Sequence, residues 1–130
     1  DVAEARVVVG AGVGSVPPEI FPLVKELAAQ IEGSVGGSRP VIDEGRIERD
    51  RLIGQTGRFI SPDLYLALGV SGASQHVGGI QDSKTIVSIN RDPQAAIFQS
   101  SDVGLVADLR QVLPALIEKI KQAKKDGKII

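Results

Sequence analysis

The stretch Leu64-Tyr65-Leu66-Ala67-Leu68-Gly69-Val70-Ser71-Gly72-Ala73-Ser74-Gln75-His76 decides how this chain folds. Its first half is apolar without alternation and stops abruptly at small and polar residues, the pattern of a strand buried on both faces of a parallel sheet. A second apolar run, Thr85-Ile86-Val87-Ser88-Ile89, ends in Asn90 in the same way. Two parallel strands that finish like this turn their carboxyl ends to one crevice, where open α/β sheets bind ligands. Residues 71–76 and Asn90 are therefore the first site candidates.

Upstream, Arg6-Val7-Val8-Val9-Gly10 reads as a first buried strand followed by a tight turn with glycines at 10, 12 and 14. A dinucleotide fingerprint needs glycine at 10, 12 and 15. Position 15 is serine, so the turn is either a weak version of that motif or a plain strand-to-helix connection. Pro17, Pro18 and Glu19 open a helix with apolar residues at 20, 24, 27, 28 and 31 on one face, Pro22 falling in its first turn and Gly33 ending it. Residues 34–40 form a short strand in which Pro40 pushes Arg39 toward an extended conformation. Arg39 then projects from a strand end or is simply a solvated arginine. The charged segment 43–52 is a solvated loop or short helix. In Gly54-Gln55-Thr56-Gly57, two glycines flank an amide and a hydroxyl, which gives either a turn or a backbone able to approach a ligand closely.

Downstream, Asn90-Arg91-Asp92-Pro93 has turn chemistry, residues 95–99 read as a short extended piece, and residues 103–107 as the last buried strand. Asp108 stands at an N-cap position. The final helix carries the stripe Leu109, Val112, Leu113, Leu116, Ile117 and Ile120, with lysines 119, 121, 124 and 125 crowding its end, favourably for the helix dipole. Five strands interleaved with three helices predict a three-layer α/β, Rossmann-like fold with a mainly parallel sheet.

Composition narrows the function. A chain of 130 residues fits one domain, able to bury roughly two-thirds of its unfolded surface. The absence of cysteine excludes disulfides and thiolate metal sites and agrees with a reducing compartment, and a single histidine excludes a multi-histidine site. A net charge of -1 and only four aromatic side chains of the Tyr and Phe types argue against nucleic-acid binding. No apolar run reaches the ~20 residues a membrane span needs, and no signal peptide opens the sequence, so a soluble protein is expected. The chain contains no methionine, so Asp1 is not an initiator and a longer parent chain is expected.

Ser71, His76 and Asp108 invite comparison with a hydrolase triad, but Gly69-Val70-Ser71-Gly72-Ala73 lacks the last glycine of a nucleophile elbow, and the acid should precede the histidine. The physical reading favoured instead is that Ser71-Gly72-Ala73-Ser74 starts a helix whose free N–H groups meet an anion, a preference of about 0.3–1 kcal/mol. His76 then sits beside that charge or is a capped or core imidazole.

Taken together, SR at 38–39, GQTG at 54–57, LYLALGVSGASQH at 64–76, DSKTIVSINRDP at 82–93, IF at 97–98 and VADL at 106–109 closely resemble the FAD-binding C-terminal domain of electron transfer flavoprotein alpha subunits. The resemblance covers nearly the whole chain. It implies that residues 1–130 are that domain, cut from an alpha subunit with a further N-terminal domain. It also implies a heterodimer with a beta subunit, exchange of electrons with flavin dehydrogenases and an acceptor, and a location in the cytoplasm of a prokaryote or the mitochondrial matrix of a eukaryote. By position it implies that Ser38 and Arg39 approach the flavin ring, that Ile53, Gly54, Gln55 and Thr56 wrap it, and that Ser71, Gly72, Ala73, Ser74, Gln75 and His76 bind pyrophosphate, ribityl and ring. His76 would bond the ring carbonyl that gains charge on reduction, and Asn90, Asp108 and Leu109 would hold the adenosine half. Where many family members have arginine in the first glycine turn, this chain has Val13.

A charge-assisted hydrogen bond of about 1.5–3 kcal/mol raises a one-electron potential by roughly 60–130 mV, so Arg39 and His76 could tune the flavin without bond chemistry of their own. No residue is expected to act as a catalytic acid or base. The competing reading from the residues alone is a non-redox module binding NAD or an adenine nucleotide, since a fold does not fix its ligand.

Overall fold

The computed structural model describes residues 1–128. Five strands, β1 (Val7–Ala11), β2 (Ser34–Gly37), β3 (Leu64–Leu68), β4 (Thr85–Asn90) and β5 (Val103–Val106), pair in the order β2-β1-β3-β4-β5. All four pairings are parallel, so every strand ends at the same edge of the sheet. The chain leaves β1 toward β2 on one side, and β3 lies on the other. That reversal is the switch point at which such sheets open a crevice.

Alternation along the strands sends side chains to two different covers. Val9, Ala11, Leu66, Leu68 and Ile89 pack under two long helices, α1 (Phe21–Gln30) and α4 (Leu109–Lys125). The predicted stripe on α4 holds, with Leu109, Leu113 and Ile117 buried and Val112, Leu116 and Ile120 packed at its margin. Val8, Tyr65, Ala67 and Ile86 point the other way, against Ile53, Ile60, Ile80 and Ile97. These come from irregular chain, from the one-turn helix α3 (Ser74–Gly78) and its C-terminal side, and from a 3₁₀ turn at Ala96–Ser100.

Four local expectations are corrected. Arg39 is helical and opens the short helix α2 (Arg39–Asp43) with Ser38 at the N-cap, because burying Val41 in the core outweighs the preference of a residue before proline for extended backbone. Helix α1 ends in a Schellman motif whose left-handed residue is Glu32 (φ 53°), with the Gly33 N–H donating to Ala28, so glycine is not the reversing residue. Residues 96–100 form a 3₁₀ turn where an extended piece was expected, anchored by the Ile97 N–H on the Ser71 carbonyl. Strand β5 is exposed at all four residues, Val103 by 56% and Leu105 by 45%, because it is an edge strand and α4 packs beside α1 without reaching over it.

Candidate functional site

The carboxyl edge gathers most of the predicted residues, in two neighbouring groups. The first surrounds a crevice of about 480 Å³ at the ends of β1, β3, β4 and β5. Ser71, Asn90, Asp108 and Leu109 line it, between apolar walls that include Val13, Ile20 and Ala96. Asn90 Nδ2 donates to the Val70 carbonyl at 2.9 Å and its Oδ1 accepts the Asp92 N–H at 2.9 Å, tying the end of β3 to the turn after β4. Asp108 caps α4 as expected, accepting the Arg110 N–H at 2.9 Å. Arg91 and Arg110, which the sequence reading passed over, bring two cations to the crevice wall. Arg110 also donates to Glu19, which holds the Glu19 carboxyl below its ordinary range and the guanidinium in place. A signal for these arginines was available, since each lies one or two residues after a named candidate at a strand end.

The second group joins residues 53–57 to residues 74–78. The Gln55 N–H donates to the Gln75 carbonyl at 2.9 Å, and the His76 ring reaches the Ile53 carbonyl at 3.2 Å. Gly54 has φ +139°, and a Cβ there would stand 2.7 Å from the Gln75 carbonyl oxygen, so only glycine lets the loop lie this close to α3. Gln55, Thr56, Ser74 and Gln75 stay exposed around this contact. The loop is also tied to β2, where Ile53 N–H donates to the Gly37 carbonyl one residue before Ser38. Arg39 does not line the crevice; its Nε donates to the Asp43 carboxylate at 3.3 Å in a largely exposed pair.

Residues 71–74 do not begin a helix. The helix starts at Ser74 and lasts one turn, after an irregular Ser71-Gly72-Ala73 in which Gly72 has φ 96° and the Ser71 carbonyl takes the Ile97 N–H. The N–H groups of residues 71–73 therefore belong to loop backbone ahead of the helix and not to a helix begun at Ser71. The first glycine turn is likewise not a phosphate cradle, because the Gly12 and Gly14 N–H groups donate to the Leu68 and Gly69 carbonyls and Ser15 Oγ donates to Leu68. Of its two sequence readings, the plain connection holds.

His76 is 4% exposed, and both ring nitrogens have partners. Nε2 lies 2.6 Å from the Tyr65 hydroxyl and Nδ1 faces the Ile53 carbonyl. Burial pushes its pKa down to about 4, against a smaller opposing effect of the Ile53 carbonyl, so the ring is neutral at pH 7. A carbonyl only accepts, so Nδ1 carries the proton, Nε2 offers its lone pair, and the Tyr65 O–H donates. Burial raises the phenol's pKa above its ordinary range, so this proton is secure. The core-imidazole reading thus describes His76, and no N–H remains free in this arrangement to meet a ring carbonyl. Tyr65 went unseen because it sits in an apolar strand.

An open, all-parallel α/β domain with a ligand-sized crevice at its switch point defines a class of proteins that bind ligands outside the carboxyl ends of their strands. Residues 1–81 match the model of the family described as the electron transfer flavoprotein FAD-binding domain, and the chain belongs to that family. It is 49% identical over 124 residues, 95% of its length, to the mitochondrial electron transfer flavoprotein subunit alpha of Dictyostelium discoideum, covering 35% of that relative. With the Arabidopsis thaliana mitochondrial subunit alpha the identity is 46% over 95% of this chain and 34% of the relative. With the subunit alpha of Thermoanaerobacterium thermosaccharolyticum it is 48% over 93% and 37%. The chain spans about a third of the length of these curated relatives. A solved structure titled "Crystal structure of an hypothetical protein" shares the fold at a TM-score of 0.52 and 12% identity, over 95% of this chain and 74% of its own. Among the described residues no helix is long and apolar enough to cross a membrane.

Proposed function

We propose that this chain binds FAD along the carboxyl edge of its sheet and is the flavin-bearing C-terminal domain of an electron transfer flavoprotein alpha subunit. The observation that carries the reading is that Ser71, Asn90, Asp108 and Leu109, distant in sequence, line one crevice in a chain of this family. The donor set suits the cofactor. A volume near 480 Å³ with apolar walls fits an adenosine, and the Asp108 carboxylate and Asn90 amide suit its polar edges. Ser71, Gly72 and Ala73 with the Arg91 and Arg110 guanidiniums answer the charge of a pyrophosphate. From there the exposed residues Thr56, Gln55, Ser74 and Gln75 lead toward Ser38 and Arg39, the stretch assigned to the flavin ring, with Ile53, Gly54 and His76 beneath it. Val13 lines the crevice with an apolar side chain, so the polar contact that arginine would make there is missing, while Arg91 and Arg110 line the same crevice.

Bound FAD supplies one-electron chemistry. The chain's own residues orient it, shield it from water and surround it with fixed charge. The protein is on this reading an electron carrier and not an enzyme with its own substrate, paired with a beta subunit and serving flavin dehydrogenases and an acceptor in the cytoplasm or the mitochondrial matrix. Nothing favours the alternative, a non-redox NAD or adenine-nucleotide module on the same fold, and the glycine turn lends it no phosphate donors, the Gly12 and Gly14 N–H groups being already bonded. The test is titration with FAD and, separately, with NAD, repeated with the beta subunit present. A flavin absorption band that stays with the protein is expected. A chain that remains colourless in both settings yet binds NAD would refute the reading.

A further inference from the structure

Tyr65 has none of the cofactor roles assigned above, yet the fold is shaped around its pairing with His76. Tyr65 is fully buried on β3 and its ring lies 5.8 Å from that of His76, tilted by 44°. Space for the hydroxyl comes from the neighbouring strand, where a Cβ on Gly10 would fall 1.8 Å from the Tyr65 oxygen. The phenol is thus fixed from below by β1 and directed at Nε2. On the far side of the imidazole the single N–H meets Ile53, the residue that leads into Gly54-Gln55-Thr56-Gly57. Among the described residues, the imidazole–Ile53 bond, the Gln55–Gln75 backbone bond and the packing of Gly54 on residues 75–76 join this loop to α3.

We propose that Tyr65 is a positioning residue: the Ile53 carbonyl requires the proton on Nδ1, and Tyr65, by donating to Nε2, holds the His76 ring so that this N–H stays on Ile53, which keeps the 53–57 loop on α3 and sets where Gln55 and Thr56 stand. Without the phenol, Nε2 has no partner and the ring is free to turn away from the Ile53 carbonyl. The loop then loses one of its links to α3, while the Gln55–Gln75 bond and the packing of Gly54 remain. Neutrality is essential to the device, and burial supplies it. That the held loop lines a flavin site rests on the function proposed above; the tether itself does not.

The test is ¹⁵N NMR of the imidazole in the full chain without flavin, whose sequence has one histidine. A protonated Nδ1 and a bare Nε2 are expected. Tyr65→Phe should keep the Nδ1–H tautomer, shift the signal of the Nε2 that has lost its donor, and speed amide exchange at Gly54 to Gly57 by roughly 2- to 10-fold, the loss of about one hydrogen bond. In a His76→Asn background, where an amide can supply the Nδ-side donor without the phenol, the same change should leave loop exchange unaltered. An Nε2–H tautomer in the parent, a parent Nε2 signal without an accepted hydrogen bond, or unchanged loop exchange in Tyr65→Phe overturns the proposal. The first two are read on the parent, even if the variant fails to fold. Failure of FAD titration with these results intact would refute the flavin reading and leave the tether standing.

Discussion

The two faces of the sheet are covered by different means. One lies under two long amphipathic helices whose buried residues recur every three or four positions. The other lies under a loop, one turn of helix and a 3₁₀ turn, whose apolar anchors are single isoleucines at 53, 60, 80 and 97. Helices satisfy their own backbone, so their face needs only apolar matching. An irregular cover leaves its N–H and C=O groups to find partners elsewhere. On this protein those partners are the site motifs themselves: Gln55 on Gln75, Ile53 on Gly37 and on His76, Ile97 on Ser71. The polar motifs therefore hold that face together as well as line its edge.

The comparison can be broken most forcefully on the helical face. Leu113→Ala, at a fully buried α4 position, should cost roughly 2–5 kcal/mol in a denaturant titration while leaving flavin affinity of the folded fraction unchanged. A marked loss of affinity would show that the faces are coupled. On the irregular face, the buried neutral His76 should make stability depend on pH. Its folded pKa, about 4, lies below the unfolded value near 6.5. Between these values the unfolded chain binds a proton that the folded chain does not, so the contribution is complete above pH 6.5 and is lost as pH falls toward 4. The loss is on the order of 3 kcal/mol, and His76→Asn should flatten that part of the curve. Asp108 both caps α4 and lines the crevice. In Asp108→Ala, losing the cap should cost about 1 kcal/mol and weaken adenine-nucleotide binding, measurable by calorimetry. The smallest stability effect is expected for Arg39→Ala, within about 0.5 kcal/mol given its exposed pair with Asp43. If Arg39 acts as a fixed charge beside the flavin, the first one-electron potential should nevertheless fall, and equal potentials in variant and parent would count against that role.

This contrast also explains what could be read from the residues alone. The helical face was legible because α1 and α4 repeat at helical spacing, and β1, β3 and β4 because their apolar runs end in glycine, serine and asparagine at one edge. Asn90, Asp108 and Ser71 were legible as strand-end polar residues. The burial of β5 was misjudged because an apolar run shows what a strand could bury and not whether a helix covers it. Pro40 misplaced Arg39 because a local steric preference lost to the burial of Val41. The partners of His76 were out of reach, since Tyr65 in an apolar strand reads as core. The only trace was Gly10, a missing side chain on the neighbouring strand that a fingerprint also explained.

The strand order carries a consequence for how the chain is made. Strand β1 is internal, with residues 34–37 on one side and residues 64–68 on the other. During synthesis the first partner is complete while the second is still unmade, and the roughly thirty intervening residues take about 2–6 s at ~5–20 residues per second. For that interval the apolar run Val7-Val8-Val9 has an open backbone edge next to an incomplete hairpin-free sheet, a state in which a nascent chain pairs with whatever strand it meets. Nascent-chain complexes halted between residues 40 and 60 past the ribosome exit should be the ones most dependent on chaperones.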